Sequence, residues 1–369
     1  MTFLYTVIAI LIFITLLCLF IILSEKILGQ SGEIEVCINS DTKFKANRGL
    51  KLLSVLAENK IYLPAACGGK GNCGKCKLNV LSGGGAITSL EKVALSEEEI
   101  NKGFRLACQV KLRENINLDI PKSILNARSF KAKLIKKDNL AYKIKQLRFK
   151  IENEEKLNFK AGQYIQINKE LPRENVIRAY SLSSSPDDTD EFSLDVQLVE
   201  GGIVSPYLHS LEIGSVIDFC GPFGDMFFDI KANKAKTIVL VAGGVGLAPM
   251  RSIVSNLSNK QFEGNMVLFH GVRSKKHLYS EKEYKKLQKE LDNFEYHPVL
   301  SEPALEDGWI GETGLVTQSL EKWLIENESS VNNIEVYLCG PSKMMEASEK
   351  LLISKGVEAA SIHSDPFSY

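Results

Sequence analysis

Four cysteines in a loop-and-return pattern offer this chain's strongest chemistry. Cys67, Cys73 and Cys76 fall in CGGKGNCGKC and Cys108 follows in RLACQV, a spacing of C-x5-C-x2-C-x31-C. Three thiolates from one glycine-rich loop and a fourth from afar suit a plant-type [2Fe–2S] cluster. Gly68, Gly69, Gly71 and Gly74 let the backbone wrap closely and aim N–H donors at cluster sulfurs. Four cysteines without metal, in the core or in disulfides, are one alternative, and a four-cysteine zinc site another, but zinc ribbons use two short knuckles and only one is present here. The first gap is one residue longer than the plant-type x4. Cys18, Cys37, Cys220 and Cys339 are scattered singly, which excludes a secreted disulfide framework and favours a reducing compartment.

Two further constellations read as nucleotide sites. Arg178-Ala179-Tyr180-Ser181 combines a guanidinium for a phosphate, an aromatic plane for an isoalloxazine ring and a hydroxyl for flavin N5. By strand alternation Arg178 and Tyr180 face one way, Ala179 and Ser181 the other. Downstream, Gly201-Gly202-Ile203-Val204-Ser205 precedes a helical run and reads as a phosphate cradle. RAYS alone is more often an ordinary barrel strand. TIVLVAGGVGLAPMRSIV reads as a buried strand, a glycine turn at Gly243, Gly244 and Gly246, and a helix with Pro249 in its first turn. EVYLCGPSKMM ends a later strand in Cys339-Gly340-Pro341; alone, Cys339 is equally a core thiol. Arg273-Ser274-Lys275-Lys276 could hold a 2′-phosphate or form a solvated turn, leaving NADH and NADPH both open.

The elements that must position these residues fall into three units behind an anchor. Residues 3–23 carry no charge, and at about 1.5 Å per residue a helix there covers a hydrocarbon core of about 30 Å. With no basic n-region and an overlong apolar stretch, a spanning anchor is favoured over a signal peptide. Lys26 then places the following domains on the cytoplasmic side, and no second such run exists. The expected boundaries are a transmembrane anchor at 1–24, a linker at 25–32, and an α+β β-grasp ferredoxin domain at 33–123. An antiparallel β-barrel at 128–230 follows, with alternating strands and one short helix, VSPYLHSL. An α/β Rossmann-like domain at 231–369 closes the chain, its strands alternating with helices as in a doubly wound parallel sheet. In the first domain we expect a helix carrying Leu50, Leu53, Leu56 and Ala57, a helix at 95–101 and a strand over LACQVKL. Forty-five basic and forty-five acidic residues cancel, so nothing calls for nucleic acid as a partner.

RAYS with the later glycine–serine cradle resembles the ferredoxin–NADP⁺ reductase superfamily. That resemblance implies that Arg178 and Ser205 bind the FAD pyrophosphate beside Gly202 and Val204, that Tyr180 stacks on the ring with Ala179 adjacent, and that Ser181 sits near N5. It also implies that GGxGxxP and CGP line a nicotinamide groove, with Cys339 at the hydride-transfer position. A C-terminal aromatic would cover the far flavin face, Phe367 first and Tyr369 second; a frayed terminus is the alternative. The order of anchor, ferredoxin, flavin and nicotinamide domains resembles the F subunits of sodium-translocating NADH:quinone oxidoreductases. So do the blocks CGGKGNCGKC, GFRLACQV, GGVGLAPMRS and CGPSKMM. Only KELPRENVI separates YIQIN from RAYS, where that family carries an insertion. The resemblance implies an enzyme passing electrons from NADH through FAD and [2Fe–2S] to integral-membrane subunits and on to quinone with sodium export, held in the inner (plasma) membrane by the lipid-embedded residues 3–23. A reductase feeding an oxygenase and a non-catalytic metal-binding module are the competing readings.

Overall fold

The computed structural model describes residues 2–28, 32–65, 67–71, 73–125, 127–170, 175–228 and 237–367. It divides into two compact units, Met1–Leu63 with Gly69–Asn126, and Pro64–Gly68 with Ala127–Tyr369.

The first unit opens with helix α1 (Thr2–Leu28), which continues through part of the stretch expected to be linker. Its described apolar side chains are exposed, among them Tyr5, Phe13 and Phe20. The sequence predicts a membrane-spanning helix over residues 3–23; the chain is helical there, while among the described residues no helix is long and apolar enough to cross a membrane. Five strands follow: β1 (Glu33–Ile38), β2 (Thr42–Asn47), β3 (Lys77–Ser82), β4 (Phe104–Leu106) and β5 (Ile116–Asp119). They order as β2-β1-β5-β3-β4, with β1 and β5 parallel and the other pairs antiparallel. In helix α2 (Leu52–Glu58), Leu52 and Leu56 are buried, as are Leu78 of β3 and Leu106 of β4. A mixed sheet grasping one helix is the β-grasp the alternation predicts. The apolar face is shifted, however: Leu52 and Val55 are buried, while Leu50 precedes the helix and is 39% exposed. Two short helices, α3 (Ser89–Ala94) and α4 (Glu97–Asn101), each start in a capping box, at Thr88/Glu91 and Ser96/Glu99. LACQVKL is not one strand. After β4 the chain turns, with Gln109 and Val110 N–H both donating to the Leu106 carbonyl, and Cys108 lies in that turn. The short helix α5 (Lys122–Leu125) ends the unit.

In the second unit, strands β6 (Arg128–Ala141), β7 (Ile144–Ile151), β8 (Tyr164–Glu170), β9 (Asn175–Ser181), β10 (Glu191–Gln197) and β11 (Val216–Phe223) form an antiparallel sheet ordered β10-β7-β6-β11-β8-β9. Just past β9, Leu182 bridges Leu194 and Ser183 N–H donates to the Ser193 carbonyl, so the last strand returns to the first. Phe149, Phe192 and Phe219 fill the interior. Helix α6 (Val204–Ser210) follows β10. Six parallel strands then order as β15-β14-β13-β12-β16-β17: β12 (Thr237–Gly243), β13 (Met266–Val272), β14 (Phe294–Leu300), β15 (Glu312–Thr313), β16 (Ile334–Pro341) and β17 (Ile362–Phe367). Helices α7 (Leu247–Asn259), α8 (Glu281–Glu290), α9 (Val316–Glu326) and α10 (Ser342–Ser354) connect them. Burial of β12 on both faces explains its unbroken apolar sequence.

Candidate functional site

The cysteine site is built by a strand ladder. Lys77 of β3 pairs with Leu106 of β4, so Cys76 and Ala107 sit at the ladder's end, where Ala107 N–H donates to the Cys76 carbonyl at 3.0 Å. That register brings the Cys76 thiol into hydrogen-bonding contact with Cys108, and Cys73 lies near enough to act on it electrostatically. The Cys108 contact, with burial, pushes the Cys76 thiol far above the ordinary range. A buried thiolate set therefore needs a cation to form, and loading it releases protons. Gln109 Nε2 donates to Cys108 Sγ at 3.3 Å, an N–H···S contact suited to tuning a cluster sulfur. Gly69 and Gly71, at φ +84° and +87°, carry the loop through left-handed backbone. Among the described residues no disulfide forms, and no three His, Cys, Asp or Glu side chains are gathered closely enough to hold a metal ion. Cys67 is buried within the Pro64–Gly68 segment of the second unit. The thiol donors and the amide donor fit an iron–sulfur group by type.

Sequence reasoning missed a buried ion pair behind this site. Arg105 of β4 donates to both Glu91 oxygens, at 2.8 and 2.9 Å, and to the carbonyls of Gly84, Gly85 and Ala86 at 2.7, 3.0 and 3.1 Å. Glu91 also accepts from the N–H groups of Thr88 and Leu106. Burial pushes the Glu91 carboxyl up, but Arg105 and these amides overcome it and hold it below the usual range. The T-x-x-E capping box was the only sequence signal.

On β9, Arg178, Ala179 and Tyr180 are half-buried and Ser181 is buried. Tyr180 packs with Tyr207 against the barrel core, and burial pushes its phenol up, so it stays neutral. Arg178 Nη1 donates to the Ile177 carbonyl at 2.7 Å. In the Pro64–Gly68 segment of the same unit, a Cβ on Gly68 would lie 2.1 Å from that nitrogen. Beyond β10, Ser205 Oγ accepts from Val199 N–H at 3.0 Å and closes the loop holding Gly202; Val204 opens α6 and is buried. Ser205 thus spends an acceptor site on shaping the cradle while its hydroxyl hydrogen remains to donate.

The glycine turn and the Cys339-Gly340-Pro341 run meet where the parallel sheet reverses order, between β12 and β16. Ligands of open α/β sheets bind at such a switch point. Backbones approach closely there: a Cβ on Gly246 would lie 2.2 Å from the Cys339 carbonyl oxygen. The result is a cavity of about 400 Å³ lined by Gly243, Gly244, Arg273, Pro341 and Met344, with Ile144 and Gln197 contributed by the barrel. Pro249 is buried in the first turn of α7. Cys339 does not line the cavity; its thiol is fully buried in the core beneath, and burial pushes it well up. Arg273 is exposed at the rim, whereas Lys275 Nζ donates to the Asp307 carbonyl and Lys276 lies over the Tyr142 ring. The backbone of Phe367 pairs with Pro341, at the crevice. The Phe367 side chain and Tyr369 lie outside the described residues.

Three families match in succession: a 2Fe-2S iron-sulfur cluster binding domain at residues 37–113, an oxidoreductase FAD-binding domain at 131–228 and an oxidoreductase NAD-binding domain at 240–350. The chain is 33% identical to the F subunit of the Na(+)-translocating NADH-quinone reductase of Haemophilus ducreyi, covering 99% of this chain and 98% of that one. The protein of the same name in Actinobacillus pleuropneumoniae matches equally, at 33% over the same shares. Among solved structures, the Amycolatopsis cytochrome P450 reductase GcoB superposes with a TM-score of 0.72 at 26% identity, covering 91% of this chain and 99% of that one. A ferredoxin reductase in carbazole 1,9a-dioxygenase gives 0.68 at 24% identity over the same shares and speaks for the fold.

Proposed function

This chain belongs to the family of Na(+)-translocating NADH-quinone reductase F subunits, and on that premise we propose that it is the electron-input component of such a complex. It is an NADH oxidoreductase that uses FAD and a [2Fe–2S] cluster. The observation that carries the reading is the crevice at the sheet's switch point, open to groups from the barrel. Bound FAD takes up a two-electron hydride and gives out single electrons, which a [2Fe–2S] cluster accepts one at a time.

In this reading Gly243, Gly244 and Gly246 admit the nicotinamide dinucleotide's pyrophosphate against the start of α7, with Pro249 fixing that turn. Gly340 and Pro341 wall the nicotinamide pocket, and Arg273 reaches the ribose end. Cys339 supports that floor from beneath. On the barrel, Arg178 with the Gly202–Val204–Ser205 cradle holds the FAD pyrophosphate, Ala179 and Tyr180 bed the ring, Ser181 donates toward N5 and Phe367 caps the far face. Cys67, Cys73, Cys76 and Cys108 ligate the cluster. Residues 3–23 span the bilayer once, with the redox domains on the cytoplasmic side, and integral-membrane subunits receive the electrons.

Optical and EPR spectra of the full chain, purified in mild detergent with its cofactors, test the route. NADH should bleach the flavin and give a rhombic [2Fe–2S] signal. Bleaching without that signal breaks the proposed path, and no bleaching at all overturns the enzyme.

A further inference from the structure

Asp195 of β10 carries a carboxylate with no exposed side-chain surface. It accepts from donors on three different elements. Arg251 Nη1 of α7 reaches Oδ2 at 3.0 Å and Oδ1 at 3.3 Å, Ser183 Oγ reaches Oδ1 at 2.9 Å, and Gln146 Nε2 of β7 reaches Oδ1 at 3.1 Å. Ser183 lies two residues beyond Ser181, on the stretch that closes the barrel. Arg251 lies five residues beyond Gly246, on the helix that begins at the glycine turn. One buried carboxylate therefore ties the end of the flavin-motif strand to the start of the nucleotide helix. The contact of Asn259 Nδ2 with Asp187 at 2.9 Å, by contrast, is exposed. Breaking a buried pair leaves an uncompensated charge, so it fixes geometry more strictly than an exposed contact.

We propose that Asp195 and Arg251 are a positioning pair for hydride transfer, setting how closely the dinucleotide crevice approaches the flavin strand. This rests on the electron-input reading above. In the step they serve, the C4–H bond of the dihydronicotinamide breaks and an N–H bond forms at flavin N5. Two electrons and one proton pass together, and the oxidised nicotinamide leaves. Neither residue lines the cavity; the pair acts through Ser183 and α7. Small displacements of donor from acceptor are costly, about 1 Å costing on the order of a hundredfold.

Anaerobic stopped-flow bleaching of the FAD- and cluster-loaded full chain by NADH, and by NADH deuterated at C4, tests this. In Asp195→Asn and Arg251→Lys we expect bleaching slowed roughly tenfold or more and an enlarged primary isotope effect. The NADH concentration for half-saturation should stay within about threefold, with FAD content unchanged. A merely structural role would lower FAD content and leave the isotope effect alone. Asn259→Ala serves as the control and should bleach at the wild-type rate. Wild-type rates and isotope effects in folded, FAD-loaded variants overturn the proposal, as does equal slowing by Asn259→Ala. If Asp195→Asn does not fold, Arg251→Lys alone decides. A wild-type chain that NADH fails to bleach overturns the functional reading, a result distinct from variants that bleach normally.

Discussion

His270 on β13 shows what a single buried residue contributes beneath the dinucleotide crevice. Its Nε2 donates to the Gly244 carbonyl at 3.1 Å, which fixes the tautomer and holds one peptide of the glycine turn. Nδ1 has no hydrogen-bond partner among the described residues, and the ring meets Tyr279 edge-on. Burial pushes the imidazole down to about 4, so it stays neutral through the working pH range. The unfolded chain binds a proton at this residue below about pH 6.5, whereas the folded chain does not until about pH 4. Its contribution is therefore complete above about pH 6.5 and is lost as pH falls toward 4, roughly 3 kcal/mol in all. His270→Gln keeps a donor for Gly244 and removes the titration. Denaturant melts at pH 7 and pH 5 should show a smaller acid loss in that variant; an equal loss refutes the assignment. Nothing local in LFHGV announces this role. Its partner arrives only through the parallel register of Ala242 with His270, so neighbours in sequence carry no trace of it. The cysteine spacing stands out in the sequence because three of the four proposed ligands fall in one short loop.

Elements were legible where one face repeats and illegible where a polar group decides. The strand–helix alternation of the last third and the alternating barrel strands announced both architectures. LACQVKL alternates as a strand would, yet the chain leaves the sheet after Leu106, with two N–H groups donating to one carbonyl. The two-residue β15 carries too few residues to show a period. In the first unit, α3 and the loop before it are fastened to β4 by Arg105, whose guanidinium satisfies Glu91 and three carbonyls at once. Removing one partner of a buried pair costs about 3–5 kcal/mol. Arg105→Gln should lower the stability of this unit by that order, and Cys108, three residues on, should lose its place. The measurement is iron per chain together with the denaturation midpoint of the visible absorbance. FAD content should not change, because the barrel lies in the other unit. Full iron retention with an unchanged midpoint would show that the pair does not hold the cysteine turn.

For the whole molecule, the decisive question is what sets an electron-input component of a membrane complex apart from a reductase of similar fold that serves another acceptor. The fold alone does not, since the P450 and dioxygenase reductases superpose over 91% of the chain. The element on which the proposed anchor rests is α1, a 27-residue helix with exposed apolar side chains and no charge in residues 3–23. Tethering acts through effective concentration, since holding the redox domains beside their acceptor replaces an encounter from solution by an intramolecular one. Deleting residues 2–23 should therefore leave NADH-dependent ferricyanide reduction, which needs only the flavin and nicotinamide domains, within about twofold of the full chain. Quinone reduction by membranes supplied with the shortened chain should fall by roughly a hundredfold, and the shortened chain should remain in the supernatant when membranes are pelleted. Sodium should stimulate quinone reduction by the full chain in its complex and have no effect on the ferricyanide reaction, because ferricyanide takes electrons before they reach the membrane subunits. A shortened chain that still pellets with membranes and drives quinone reduction at the full rate would remove α1 from the mechanism. A full chain that transfers electrons to a soluble oxygenase, and not to quinone, would favour the other kind of reductase.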